Sequence, residues 1–119
     1  MTESDTATIC ALNDAFRATT TSMIGPWLGS GQLVITRGVA DRGIDFLNRA
    51  IASVRAFSDF TPDNDPWSEH DFGIFELDGI ALNWKIDYYN PPLEYGSDDP
   101  ADIMKTRRVL TVLLAEEYY

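Results

Sequence analysis

The sequence has one cysteine, one histidine and only nine lysine and arginine residues in 119 positions. Because a disulfide needs two thiols, Cys10 excludes an internal bridge, and this favours a reducing cytoplasm. No apolar run approaches the roughly 20 residues that a membrane-spanning helix needs. The first five residues have neither a basic side chain nor an apolar stretch, so we expect no secretory signal. These absences predict a cytoplasmic protein that does not enter a membrane.

Sequence patterns that bind metals or phosphates, or that activate nucleophiles, are also missing. The CxxC and HxxxH spacings of zinc sites are absent, the EF-hand spacing is not met, and no glycine-rich phosphate loop follows a strand. We interpret His70, between Glu69 and Asp71, as a surface histidine that contacts Asp87 and stabilises a strand end. Cys10 lies on the apolar stripe of a helix, where a thiol acts as a small hydrophobe. We therefore expect no catalytic residue, no cofactor and no bound metal.

What the sequence does contain is concentrated negative charge. The chain has 19 acidic residues and a net charge of −10. Residues 59–102 hold 12 of the acids and one base, Lys85, so this segment carries −11 and the remainder +1. Such a surface repels nucleic acid and anionic lipid and attracts basic protein surfaces. The charge predicts a basic protein partner, no direct nucleic-acid binding and no membrane binding.

Length and hydrophobic periodicity predict a single acidic α+β domain over residues 1–119. We expect helices from residue 4 or 5 to about residue 19, over residues 41–58, and from Asp99 onward. In the last of these, Asp99 would be the N-cap and Pro100 the first helical residue. With a short strand at residues 32–36, the expected order is α-β-α-β-β-α, a small antiparallel sheet of about three strands packed with three helices.

The strongest local signal is a β-hairpin around Asp78-Gly79. A two-residue Asp-Gly connection favours a type I′ turn, because both residues tolerate positive φ. With strands at residues 72–77 and 80–88, the register pairs Gly73 with Trp84 and leaves room for the indole. The side chains that this register places on one apolar, buried face are Phe75, Leu77, Ile80, Leu82, Trp84, Ile86 and Tyr88.

The glycine-rich segment after the first helix is unusually apolar for a loop. It contains Met23, Ile24, Trp27 and Leu28. Two interpretations stay open: the loop folds back over the core, or it is an exposed apolar contact surface.

Several separated motifs resemble a known family. They are AFSDFTPDNDP at 56–66, EHDFG at 69–73, WKIDYY at 84–89, LEYGS at 93–97, DPAD at 99–102, TRRVLT at 106–111 and ALND at 11–14. They resemble short bacterial proteins grouped as domain of unknown function 3768, although the loop at residues 23–28 looks longer and more apolar than the family's. The family brings no established activity, cofactor or catalytic residue. Its members often lie on plasmids and prophages, so the resemblance implies an accessory or anti-defence role.

The motif residues mix acids with aromatics, as protein-binding surfaces do. We therefore expect a non-enzymatic binding protein that engages the basic, nucleic-acid-binding surface of another protein. Its most specific form is a DNA-mimicking inhibitor of a host nuclease or CRISPR-type defence complex, encoded by a mobile element. The alternative is a small metal- or carboxylate-dependent enzyme centred on residues 63–71. The expected partner-binding residues are Asp63, Asp65, Glu69, Asp71, Asp87, Tyr89, Glu94, Tyr95, Asp98 and Asp99.

Overall fold

A computed structural model describes residues 3–18 and 31–118 of the chain. Its elements confirm the expected α+β class. They are helices α1 (Glu3–Ala18), α2 (Arg37–Ala40) and α3 (Ile44–Ala56), strands β1 (Gly31–Ile35), β2 (Phe72–Leu77), β3 (Ile80–Tyr89) and β4 (Arg107–Leu114), and a closing 3₁₀ turn, Ala115–Glu117. The apolar loop at residues 23–28 lies outside the described residues. None of the helices described is long and apolar enough to cross a membrane.

The four strands form one mixed sheet in the order β1-β4-β3-β2. Strand β3 pairs antiparallel with both β2 and β4, whereas β1 runs parallel to β4. Strand β4 is central and six of its eight residues are buried, which explains its nearly continuous apolar sequence. The expectation of about three antiparallel strands is therefore close, but the sheet has a fourth strand and one parallel pair.

The expected C-terminal helix is wrong, because that part of the chain supplies β4. The β-branched residues Val109, Thr111 and Val112 favour a strand over a helix. Asp99 and Asp102, which resemble the start of a helix in the sequence, each stabilise a short turn instead. The Asp99 side chain accepts a hydrogen bond from the backbone N of Ala101 at 3.2 Å, and the Asp102 side chain accepts one from the backbone N of residue 104 at 2.9 Å.

The helix expected over residues 41–58 is observed as α3, Ile44–Ala56, and a separate short helix, α2, precedes it. Gly43, with a φ of 97°, is the N-cap of α3 and separates the two helices. The apolar stripe of α3 faces the sheet and buries Phe46, Leu47, Ala50, Ile51 and Val54.

The predicted hairpin and its register are confirmed. Asp78 and Gly79 have φ values of 55° and 76°, as a type I′ turn requires. Gly73 lies opposite Trp84, and a side chain at Gly73 would collide with the indole.

The buried face of the hairpin forms the core with α3 and the end of α1. The Trp84 indole is fully buried and makes edge contacts with the rings of Phe57 and Phe60, at 5.5 and 6.2 Å between centroids. The Arg17 guanidinium of α1 lies 4.9 Å from the indole ring. This packing brings the chain after α3 against α1, and that junction is where the candidate site lies.

Candidate functional site

Residues 59–71, which we call the first acidic loop, are held by their own side chains. The backbone N of Thr61 donates to Asn64 Oδ1 at 3.0 Å, and the backbone N of Asp65 donates to the Thr61 carbonyl at 2.8 Å. Ser68 and His70 have φ values of 57° and 56°, in the left-handed region. The buried Asp65 carboxylate accepts a hydrogen bond from the backbone N of His70 at 3.1 Å. Asp65 therefore fixes the loop where His70 leaves it.

The His70 ring is held between two carboxylates. Its Nδ1 lies 2.8 Å from Asp14 Oδ1 on α1, and its Nε2 lies 3.7 Å from Asp65 Oδ2. The ring stacks on Phe60 with 3.7 Å between centroids and 2° between planes. The expected contact between His70 and Asp87 is wrong, because the His70 ring lies between Asp14 and Asp65. Asp87 pairs with Lys85 instead.

A polar network centred on Asn13 joins α1 to both acidic parts of the chain. The side chain is fully buried, and its amide N donates to the Glu69 carbonyl at 3.0 Å and to the Tyr88 hydroxyl at 2.8 Å. Its Oδ1 accepts a hydrogen bond from Arg108 Nε at 2.6 Å. Arg108 also donates to the Pro100 carbonyl at 2.7 Å. We call residues 90–102 the second acidic loop, and this network ties it to the first.

Burial controls the protonation of the network. It raises the pKa of Tyr88, so the hydroxyl stays neutral and donates to Glu69 Oε1 at 2.8 Å. Burial, followed by the charge of Glu69, raises the pKa of Asp71 to about 6. Burial lowers the pKa of the Arg108 guanidinium, because it disfavours the charged form.

The Cys10 thiol is not an activated nucleophile. Burial and then the charges of Asp14 and Asp65 raise its pKa, so the thiol keeps its proton and lies 3.9 Å from Asp14 Oδ2. A nucleophilic cysteine needs a cationic neighbour that lowers the pKa, and here the carboxylates dominate.

Within residues 3–18 and 31–118, one group of cysteine, histidine and acidic side chains could hold a metal ion. Its members are Cys10, Asp14 and His70, whose donor atoms all lie within 4.8 Å of one another. Asp63 and Asp87 are not part of this group.

The expected partner-binding residues divide by environment. Asp65 is buried, and Glu69, Asp71, Asp87, Tyr89 and Asp99 are half-buried. Asp65, Glu69, Asp87 and Asp99 hold neighbouring groups through hydrogen bonds or an ion pair. The expected residues that remain exposed are Asp63, Glu94, Tyr95 and Asp98.

Sequence reasoning missed the residues that connect these loops, above all Asn13, Asp14, Arg17 and Arg108. The signal in α1 was a cluster of polar residues beside an apolar helical stripe, with Asn13 and Arg17 one turn apart. Both are buried, and Arg17 donates to the Val54 and Phe57 carbonyls at 2.8 and 2.6 Å. Arg108 lies in the motif TRRVLT at 106–111, but the helix expected there does not predict its buried partner Asn13.

A family model described as "Protein of unknown function (DUF3768)" matches residues 35–117. No curated protein and no solved structure matches the chain. The match covers both acidic loops and starts after α1, so the motif at residues 11–14 and the α1 part of the site lie outside it. Since the match spans more than half of the chain, the protein belongs to the DUF3768 family.

Proposed function

We propose that this protein is a non-enzymatic acidic binding protein whose two acidic loops engage the basic surface of another protein. The observation that carries the proposal is the link between the loops. Glu69 in the first loop and Pro100 in the second are both hydrogen-bonded to the Asn13–Arg108 pair. The two loops contain nine acidic residues and no lysine or arginine. Their charges therefore add at one end of the sheet.

Exposed acidic side chains without an ion pair are also more numerous in the two acidic loops than in the rest of the described chain. In the part of the chain that the structure describes, four acids of the two loops are exposed and make no ion pair, namely Asp59, Asp63, Glu94 and Asp98, whereas two outside the loops do so, Glu76 and Glu116. Such charges attract a basic partner over a Debye length of about 8 Å at physiological salt.

Several acids outside the two loops are paired with arginines, although Glu76 and Glu116 are exposed and make no ion pair among the described residues. Arg37 pairs with Asp41, and Arg49 pairs with both Asp45 and Asp78. The larger number of exposed, unpaired acids in the loops supports a directional role for the loops rather than general acidity for solubility.

Exposed aromatic side chains accompany the acids. Trp67 in the first loop is 75% exposed and Tyr95 in the second is 71% exposed. Trp and Tyr supply much of the binding free energy at protein interfaces, because they bury large areas and lose little conformational entropy. We propose that the acids guide association and that Trp67 and Tyr95 anchor the complex.

A DNA-mimicking inhibitor, made by a mobile element against a nuclease or CRISPR-type complex, is the more specific form of this proposal. A partner of that kind would use the same basic surface for nucleic acid and for this protein. Duplex DNA should then compete with binding. The alternative, a small metal- or carboxylate-dependent enzyme centred on residues 63–71, would depend on the group that His70 forms with Cys10 and Asp14 of α1, in which the Cys10 thiol is not activated.

Capture from a lysate of the source cells with three baits tests the proposal. The loop variant is Asp63→Lys, Glu94→Lys, Asp98→Lys, and the control variant is Asp41→Lys, Asp45→Lys, Glu116→Lys. Each reversal adds two charges, so three of them change the net charge from −10 to −4 in both variants. Asp65 and Asp99 are left unchanged because they hold backbone groups.

We expect the parent and the control variant to retain the same basic protein, which the loop variant loses and which added salt or duplex DNA elutes. Equal retention by both variants would contradict the role of the loops. If salt but not duplex DNA elutes the retained protein, the result supports an acidic binding protein and contradicts the DNA-mimic form of the proposal.

A further inference from the structure

The junction between α1 and the first acidic loop brings together three side chains of the kinds that bind transition metals. Cys10 and Asp14 lie one turn apart on α1 and therefore share a face of the helix. His70 reaches them from the loop, and its Nδ1 is 2.8 Å from Asp14 Oδ1. The Cys10 sulfur is 3.9 Å from Asp14 Oδ2. The three donor atoms lie within 4.8 Å of one another.

These separations are close to those of a zinc site. Zinc bonds of about 2.0–2.3 Å in tetrahedral geometry place neighbouring ligand atoms about 3.3–3.6 Å apart. The Cys10 sulfur is 3.9 Å from Asp14 Oδ2, whereas His70 Nδ1 is 2.8 Å from the other oxygen, Oδ1. One ligand atom from each residue lies within 4.8 Å of the others, so the three side chains have to close by up to about 1 Å around a metal ion. Changes of this size lie within rotamer adjustment, because Cys10 and His70 are both at the surface of the core rather than inside it.

A second and independent observation is the carboxylate on the far side of the imidazole. Asp65 is 6% exposed, and its Oδ2 faces His70 Nε2 at 3.7 Å while its Oδ1 holds the His70 backbone. Metal-binding histidines usually donate their other ring N–H to a carboxylate, which fixes the tautomer and the ring orientation. At 3.7 Å, Asp65 Oδ2 is beyond hydrogen-bond distance from Nε2 and has to move closer to take this role. Phe60 fixes the plane of the same ring by stacking on it. The ring is thus oriented with Nδ1 toward Cys10 and Asp14.

Within residues 3–18 and 31–118, Arg17 is the one arginine or lysine that forms an ion pair with a member of the group. Its NH2 lies 3.2 Å from Asp14 Oδ1 and its NH1 is bonded to the carbonyls of Val54 and Phe57. The guanidinium is therefore held on the core side of Asp14. The other carboxylate oxygen, Oδ2, faces the Cys10 sulfur.

Contrary to the expectation of no bound metal drawn from the sequence, we propose that Cys10, Asp14 and His70 bind one divalent transition metal ion of the zinc class. A thiolate, an imidazole and a carboxylate are ligands that Zn²⁺ accepts together, whereas Ca²⁺ and Mg²⁺ prefer oxygen ligands alone. Three protein ligands leave a fourth position for water. On binding, the metal replaces the thiol proton of Cys10, which is released to solvent. The proton that Nδ1 donates to Asp14 Oδ1 in the metal-free protein must also leave Nδ1, either to solvent or, through solvent, to Nε2, so that the lone pair of Nδ1 binds the metal. The site is independent of the proposed binding function.

Cobalt(II) titration of the whole, chelator-treated protein tests the site, because Co²⁺ replaces Zn²⁺ and reports its ligands by absorption. We expect saturation at one equivalent, with visible bands of a tetrahedral ion and a near-ultraviolet thiolate-to-cobalt band. Cys10→Ser should abolish the thiolate band, and His70→Gln should weaken the visible bands. Asp65→Asn should retain the thiolate band and weaken binding about 10–100-fold, since Asp65 acts through His70. Asp63→Asn, in the same loop but outside the site, should bind like the parent.

Absence of a thiolate band at stoichiometric Co²⁺ would overturn the proposal, and so would an unchanged spectrum in Cys10→Ser. Thermal unfolding with Zn²⁺ supplies a second readout. One equivalent should raise the melting temperature of the parent and of Asp63→Asn but not of Cys10→Ser. Cys10→Ser replaces a half-buried side chain by one of similar size, so we expect this variant to fold like the parent. Equal Zn²⁺ stabilisation of the parent and Cys10→Ser would also overturn the proposal.

Discussion

Trp84 shows most directly how single residues stabilise the fold. Its indole is fully buried between Phe57, Phe60 and the Arg17 guanidinium. We expect Trp84→Ala to lower the free energy of unfolding by about 3–5 kcal/mol, because it removes the transfer free energy of the ring and leaves a cavity. Chemical denaturation measures the change. Trp67→Ala removes an exposed indole and is the matched control, with an expected change within about 0.5 kcal/mol. Equal effects of the two substitutions would contradict the buried position of Trp84.

Asp71 should make stability depend on pH. Its pKa is raised by burial and by Glu69 from 3.8 to about 6 in the folded protein. Between these values the folded state binds more protons than the unfolded state, so stability falls as pH rises through this window. Asp71→Asn removes the buried charge, and we expect it to raise the melting temperature above pH 6 and to leave it unchanged below pH 3.8. Thermal unfolding from acidic to neutral pH, with chelator present, measures this, and a stabilisation that grows at low pH would contradict it.

The sequence predicts residue environments well where local register decides them. The two-residue turn at Asp78-Gly79 places Gly73 opposite Trp84 without reference to the rest of the chain. His70 could not be placed in the same way. Its φ of 56° and its partner Asp14, 56 positions away, depend on tertiary packing that no local pattern specifies.

Among the elements, β4 shows how a capping signal can mislead. Asp99, Pro100 and Asp102 satisfy helix-start preferences, yet Asp99 and Asp102 each close a turn whose hydrogen bond resembles the first turn of a helix. The β-branched residues further along prefer a strand, and the position between β1 and β3 buries both faces of that strand. The parallel pairing of β1 with β4 joins residues more than 70 positions apart, which hydrophobic periodicity alone does not predict.

Arg108 is the residue by which β4 positions the second acidic loop. We expect Arg108→Met to lower the free energy of unfolding by about 1–3 kcal/mol, because Asn13 Oδ1 loses its donor in a buried site. Amide hydrogen exchange in residues 90–102 should also become faster, since the Pro100 carbonyl loses its partner. Lys105→Met, at an exposed position just before β4, is the control and should change neither quantity appreciably. Unchanged exchange in residues 90–102 of Arg108→Met would show that the network does not hold the loop.

At the scale of the whole molecule, the sequence predicts the uneven charge but not which acids remain available. Pairing is decided by the fold. Asp78 lies in the acidic segment, yet its carboxylate is bound by Arg49, 29 positions away, and Asp65 is buried beneath His70. Asp63, Glu94 and Asp98 remain exposed without an ion pair in the described part of the chain. The structure thus reduces the ten expected binding residues to a smaller set that a charge-reversal experiment can address.

The most direct test of the acidic binding surface is the association rate with the purified partner that capture identifies. The rate is measured for the parent, the loop variant and the control variant, at low and at physiological ionic strength. Electrostatic steering raises association rates by about 10–10³-fold, so the loop variant should associate at least about tenfold more slowly than the parent at low salt. The control variant, with the same net charge, should stay near the parent, and salt should reduce the parent's rate steeply. Equal reduction of the association rate in the two variants, or a parental association rate that does not change with ionic strength, would contradict binding through the acidic loops.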